Sequence, residues 1–237
     1  MRVDWLEFEV LSWLEPFARR EVHAHFPGRI HVAEGRLTLR SRAASLEAIN
    51  ALRSVVAAYV VDDFDIPRPR ALLGHEYLKC VQRACEGVLA AWPRGTFRTL
   101  YMSAAGAESA VMTRIKRELA DRLRLEVSES SGDLLVRIRR AAAGWQVLVR
   151  TSPRPLSTRA WRVCNLPGAL NATLAHAMVS MTDPIESEVF VNIACGSGTL
   201  LIERLALGPA CVAVGYDLNG EALSCARTNA DDRSRCA

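Results

Sequence analysis

Val189-Phe190-Val191-Asn192-Ile193 is a short apolar run that passes through Ala194-Cys195-Gly196-Ser197-Gly198 and straight into Thr199-Leu200-Leu201-Ile202-Glu203. Strand, glycine turn and helix in immediate succession leave the backbone few alternatives. The two glycines permit positive φ and remove the Cβ atoms that would hold a ligand away from the main chain. A second apolar run, Val212-Ala213-Val214-Gly215-Tyr216, ends in Asp217, nineteen residues beyond Gly198. In a βαβ unit, a carboxylate at that spacing meets a ribose. This stretch therefore specifies two parallel strands with a nucleoside site at the turn between them, set against the plainer reading of a purely structural strand–turn–helix.

The turn narrows the nucleoside. A dinucleotide fold wants a third glycine for close helix packing beside a pyrophosphate, and Leu201 stands there. No Gly-Lys-Ser/Thr follows, which excludes a Walker loop. A ligand with a ribose and no phosphate remains. The stretch Asn192 to Thr199 resembles motif I of the S-adenosylmethionine-dependent methyltransferases. The resemblance implies S-adenosyl-L-methionine as cofactor, bound by Asn192, Ala194, Cys195, Gly196, Ser197, Gly198, Thr199, Glu203 and Asp217. Asp217 would accept the two ribose hydroxyls, and the free N–H groups at Thr199 would meet the methionine carboxylate. Asn192 stands where the wider class carries an aspartate for the methionine ammonium. Glu203 is either a cofactor neighbour or a compensating charge near a helix N-terminus. Cys195 reads as a small turn residue and not as a nucleophile, because no basic partner surrounds it.

The segment from Ser157 to Val179 resembles the stretch that precedes motif I in RNA guanine-N2 methyltransferases carrying a THUMP domain, and Gly196 to Glu203 matches their Gly-Ser-Gly-Thr-Leu-Leu-Ile-Glu. That likeness is specific over residues 157–229. It implies transfer of a methyl group to N2 of a guanosine, in tRNA or else in ribosomal RNA. The family places an Asn/Asp-Pro-Pro-aromatic turn on a later strand, where it grips the amino group of a flipped base. The ten prolines here include no adjacent pair, so no catalytic residue is assigned and the expectation is a methyltransferase domain cut before that motif. The competing reading is a non-catalytic RNA-binding module; a nucleoside-cofactor protein unrelated to RNA is a third.

Charge supports an RNA partner. Residues 67–157 carry fourteen arginines and two lysines against eight acids, whereas residues 1–66 and 158–237 are each net acidic. A basic module between acidic ones is the footprint of a nucleic-acid grip; a solvated helix face is the bland alternative. The resemblance makes this module THUMP-like, and Arg114, Lys116, Arg117, Arg137, Arg139 and Arg140 are its candidate RNA contacts. Seven cysteines at irregular spacing suggest neither a disulfide framework nor a zinc site, and His23, His25 and His31 lack partners at metal-ligand spacing. Glu7 and Glu9 interrupt the N-terminus as a signal sequence, and Val55 to Val61 is too short to span a bilayer. The expectation is a metal-free cytoplasmic monomer.

Periodicity predicts an α/β chain in three parts. Residues 1–66 read as strand, helix (14–26), hairpin around Gly35, helix (45–54) and strand (55–61), the β-α-β-β-α-β order of a ferredoxin-like module. Asp62-Asp63-Phe64-Asp65 and Pro67-Arg68-Pro69 read as a linker. Residues 67–157 read as helix (73–91), strand (96–102), helix (108–123) and strands at 134–139 and 146–150. Residues 158–237 open a Rossmann-like methyltransferase domain, incomplete and with an unpaired sheet edge.

Overall fold

The computed structural model describes residues 5–41 and 45–236. β1 (Trp5–Glu9) turns Leu6 and Phe8 inward and Glu7 to the opposite face, as strict alternation requires. α1 (Glu15–His25) keeps Pro16 in its first turn, where no intrahelical N–H is needed. β2 (Ile30–Ala33) and β3 (Arg36–Arg40) form the expected hairpin. α2 (Leu46–Asn50) is capped by the Ser45 hydroxyl but is shorter than the expected 45–54. The cause is Glu21: its carboxylate accepts the backbone N–H groups of Arg53 at 2.8 Å and Ser54 at 2.7 Å, drawing them out of the helix.

β4 (Ala57–Phe64) continues through Asp62 and Asp63, which the sequence reading had placed in a linker. It pairs with β1 on one side and with β8 on the other. After a 3₁₀ turn at Pro69–Leu73 come α3 (His75–Ala90), β5 (Thr99–Ala104), α4 (Ala110–Leu123), β6 (Glu126–Ser128), β7 (Leu134–Arg140) and β8 (Trp145–Arg150). The eight strands form one sheet in the order β2-β3-β1-β4-β8-β7-β5-β6, and the first four have the ferredoxin-like arrangement. The sheet thus runs unbroken across residue 66.

One face of this sheet carries the main core, with Leu6, Phe8, Val60, Leu100, Val136 and Val149 beneath α1 to α4. The other face holds a smaller cluster around Tyr59, Leu135 and Leu148, roofed by charged side chains. There the Arg137 guanidinium lies 4.8 Å above the Tyr59 ring, and the Tyr59 hydroxyl donates to Glu9. Burial, with the Glu9 charge second, pushes the Tyr59 hydroxyl well above its usual range.

Downstream, α5 (Ala172–Ser180), capped by Asn171, is followed by β9 (Val189–Ile193), α6 (Thr199–Leu207), β10 (Val212–Tyr216) and α7 (Gly220–Cys236). β9 and β10 pair in parallel as a two-stranded sheet. Val189, Val191 and Ile193, alternate residues of β9, are exposed together with Val212 and Tyr216 of β10. An apolar face of a parallel sheet is ordinarily covered.

The β7–β8 hairpin is pressed against the end of β4. Gly144 has φ +81°, and a Cβ there would lie 2.1 Å from the Phe64 carbonyl oxygen. Gly144→Ala is expected to cost roughly 2–4 kcal/mol through strain and forced separation of β8 from β4. Urea unfolding measures this as a lower midpoint; an unchanged midpoint would contradict the packing described.

Candidate cofactor site and nucleic-acid interface

β9 ends at Ile193, and the chain then alternates through left-handed positions at Ala194 (φ 56°), Gly196 (φ 55°) and Gly198 (φ 80°). The N–H groups of this turn are largely committed internally, Gly198 N–H donating to the Cys195 carbonyl at 2.9 Å. Cys195 N–H donates to the Tyr216 carbonyl at 2.9 Å, which brings the turn beside the end of β10. There Asp217 accepts Gly196 N–H through Oδ2 at 2.8 Å and Asn219 N–H through Oδ1 at 2.9 Å. These backbone hydrogen bonds, from Asn219 and then Gly196, hold its carboxyl below the usual range. A carboxylate has about four acceptor sites, so capacity for ribose hydroxyls remains.

Close packing explains the small residues. Ser197 and Thr199 are buried, and a Cβ at Gly198 would meet Ala226 Cβ of α7 at 3.1 Å. A Cβ at Gly215 would lie 2.9 Å from Cys195 Sγ. Burial pushes the Cys195 thiol up, keeping it protonated and poorly nucleophilic. α6 begins at Thr199 without a side-chain cap, so first-turn N–H groups stay available. Asn229 of α7 binds the turn from behind, its Nδ2 donating to the Ser197 and Cys164 carbonyls at 3.0 and 2.9 Å.

A bound group is further indicated by Asn192. Its Oδ1 is buried with no hydrogen-bond partner, and an orphaned buried acceptor calls for a donor. An ammonium supplies one without requiring a carboxylate at this position. Asn192, the uncapped start of α6 and Asp217 thus match the ammonium, carboxylate and ribose of S-adenosyl-L-methionine in charge and hydrogen-bonding character.

Glu203 departs from the expectation of a cofactor neighbour. It is fully buried and points toward the N-terminal module, accepting two hydrogen bonds from Arg53 and one from Arg159, each at 2.9 Å. His176 Nδ1 stands 3.4 Å from the same carboxylate. With no solvent exposure and three hydrogen bonds from arginines, this carboxylate is shut off from a ligand in the turn. His176 is buried at this junction.

The candidate RNA contacts divide similarly. Arg139 is bound to Glu7 at 2.5 Å and Arg137 to Glu9 at 3.3 Å, joining β7 to β1 across two intervening strands. Arg114 pairs with Glu118 one helical turn away, and buried Lys116 pairs with Glu129. Arg117 and Arg140 are exposed and have no ion-pair partner among the described residues. A cavity of about 640 Å³ lies between Arg53, Trp92, Arg154, Arg159 and Trp161; Arg53 and Arg159 are committed to Glu203, whereas Arg154 is exposed.

One expectation about the cysteines is corrected. Cys164 and Cys225 form a disulfide, with Cα atoms 5.4 Å apart. They are 61 residues apart in sequence, a separation that carries no local spacing signal. Among the described residues no group of three or more histidines, cysteines or acids could hold a metal ion, and no helix is long and apolar enough to cross a membrane.

Residues 159–234 match the family model described as RMKL-like, methyltransferase domain. S-adenosyl-L-methionine is the cofactor of this domain type. A tRNA (guanine(6)-N2)-methyltransferase from Methanocaldococcus jannaschii is 35% identical over 82 residues, 34% of this chain and 22% of the relative. The match thus spans about a fifth of that relative's length. Among solved structures, TrmN from Thermus thermophilus superposes with a TM-score of 0.72 at 24% identity, covering 97% of this chain and 70% of its own. SMU.472 complexed with SAH gives 0.66 at 15%, covering 98% and 73%. The mixed α/β architecture and its Rossmann-like methyltransferase segment are shared with these structures.

The Glu203 junction has a pH signature. Burial alone would raise its carboxyl, but His176 and the guanidinium groups of Arg159 and Arg53 outweigh it and hold the carboxyl at about 2. A depressed folded-state value stabilises the fold above the ordinary carboxylate range, and that contribution is lost as pH falls from about 4.5 toward 2. Glu203→Gln should lower stability at neutral pH by roughly 3 kcal/mol and flatten the acid limb. Denaturant titrations between pH 2 and 7 test this; parallel curves for both proteins would refute it.

Proposed function

We propose that this chain serves an S-adenosylmethionine-dependent RNA methyltransferase acting on N2 of a guanosine in tRNA. In this reading residues 158–237 hold the cofactor and residues 1–157 hold the RNA. The observation that carries the reading is the left-handed turn between β9 and α6, flanked by the orphaned Asn192 Oδ1 and by Asp217. The 35% identity to a tRNA guanine-N2 methyltransferase supports the substrate class.

When bound, S-adenosyl-L-methionine supplies an electrophilic methyl group on a sulfonium. The chain's own residues orient that molecule. Asp217, held ionised by backbone donors, accepts from the ribose. Asn192 Oδ1 accepts from the ammonium without bringing a second negative charge near Asp217. The uncapped start of α6 receives the carboxylate.

RNA holding is assigned to a THUMP-like module over residues 67–157, fused to the ferredoxin-like module through β4 and β8. An A-form acceptor stem is recognised by shape and phosphates, so arginines without base-reading partners are adequate. Arg117, Arg140 and Arg154 are the exposed charges for this work. Arg137 and Arg139 keep the sheet assembled and contribute through it.

A second reading is favoured by one sequence fact: no Asn/Asp-Pro-Pro-aromatic turn occurs in these 237 residues. The chain would then be an RNA-binding module with no methyl transfer of its own.

Two measurements decide between these and against both. Calorimetry should detect S-adenosylhomocysteine binding that Asp217→Ala weakens by about tenfold or more, the value of a lost charge-assisted hydrogen bond. Filter binding should show salt-sensitive tRNA retention. Arg117→Ala with Arg140→Ala should flatten the slope by up to two contacts, about 0.7–0.9 per contact. RNA binding without cofactor binding selects the second reading, and neither binding refutes both.

A further inference from the structure

Arg162 lies outside the strand–turn–helix unit, in the segment between β8 and α5, yet it reaches the cofactor turn. Its Nη2 donates to Thr199 Oγ1 at 2.7 Å and to the Leu170 carbonyl at 2.7 Å. Its Nε is buried and has no hydrogen-bond partner. No ion pair to Arg162 exists among the described residues, because Glu203, the nearby acid, is taken by Arg53 and Arg159. The guanidinium packs 5.3 Å from the centroid of the buried Trp161 ring, which fixes its orientation. Desolvation weakens its hold on the charge, as expected for a cation lacking its counter-ion.

A cation with an unspent donor therefore stands at the first residue of a helix whose N-terminus has no side-chain cap. Both features favour a negative charge at the same place: the helix end through its N–H groups and partial positive charge, the arginine through its fork of donors. We propose that Arg162 is a cofactor-binding residue, pairing with the carboxylate of the methionine part of S-adenosyl-L-methionine beside the first turn of α6. This assignment rests on the cofactor reading above and adds to it a residue from the connecting segment. It also divides the methionine part between opposite charges, with Asn192 for the ammonium and Arg162 for the carboxylate. Thr199 Oγ1, already accepting from Arg162, orients the guanidinium and is a positioning group.

S-adenosylmethionine and its decarboxylated analogue differ only in the group assigned to Arg162. Calorimetry of the full chain with each ligand tests the contact directly, without reference to methyl transfer. Arg162→Ala should weaken S-adenosylmethionine about tenfold or more and the decarboxylated analogue less than about twofold. Arg162→Lys should fall between, retaining a point charge and losing the fork. Should the alanine variant not fold, Arg162→Gln retains an N–H donor for Thr199 and Leu170 without the charge, and the same split between ligands is expected. Equal losses for the two ligands would reduce Arg162 to a structural clamp and overturn the assignment, as would no loss at all. Failure of the unaltered chain to bind either ligand would overturn both the assignment and the cofactor reading, an outcome distinct from the other two.

Discussion

A carboxylate with no solvent exposure, bound by two guanidinium groups from different parts of the chain, is the interaction on which the arrangement of this molecule depends. Glu203 lies in the helix that begins at the cofactor turn; Arg53 follows α2 in the N-terminal module; Arg159 lies in the connecting segment. Burying one carboxylate is costly, and removing a partner from such a cluster leaves an uncompensated charge. The three groups are therefore mutually obligatory. Arg159 also donates to the carbonyls of Leu156 and Arg53, so the connecting segment is fixed at both ends of the same contact. Through it, a surface proposed to hold RNA and a turn proposed to hold a cofactor share one set of hydrogen bonds.

The sheet repeats this design with different chemistry. β4 is the last strand of the ferredoxin-like arrangement and is also the partner of β8, so neither module has a free edge at their meeting point. On the face away from the helices, Glu7 and Glu9 of β1 reach Arg139 and Arg137 of β7 over the Tyr59 ring. These pairs are roofed only in part, with Glu7 more deeply buried than Glu9. Two of the arginines in the middle segment are thus balanced by acids of the first. Arg117 on α4, Arg140 at the end of β7 and Arg154 in the connecting segment are exposed and make no ion pair among the described residues.

How much of this was legible depended on whether the signal was local. Strand alternation, the Ser45 cap and the glycine turn are written in neighbouring residues, and these features emerged close to where the sequence placed them. β6 is three residues long and has no periodicity to read. Asp62 and Asp63 looked like a linker because acids are depleted from strands; cross-strand pairing with β8 overrode that preference. Arg137 and Arg139 of β7 read as RNA contacts because their acidic partners lie 128 and 132 residues away in sequence. For Glu203 the motif position leaves a cofactor neighbour and a compensating helix charge both open, whereas its burial beside Arg53 can be known only from the folded chain. No spacing rule connects Arg162 to the turn it touches.

The bridge between Cys164 and Cys225 gives this part of the molecule a topological character. Everything from the segment before α5 to the middle of α7, including β9, the glycine turn and β10, lies inside one covalent ring. An oxidised chain that lost all other structure would still keep these elements tethered. On a chain-entropy account, closing a loop of this size removes about 4 kcal/mol of disorder from the unfolded state. In the oxidised form, assembly of the βαβ unit therefore starts from a restricted ensemble.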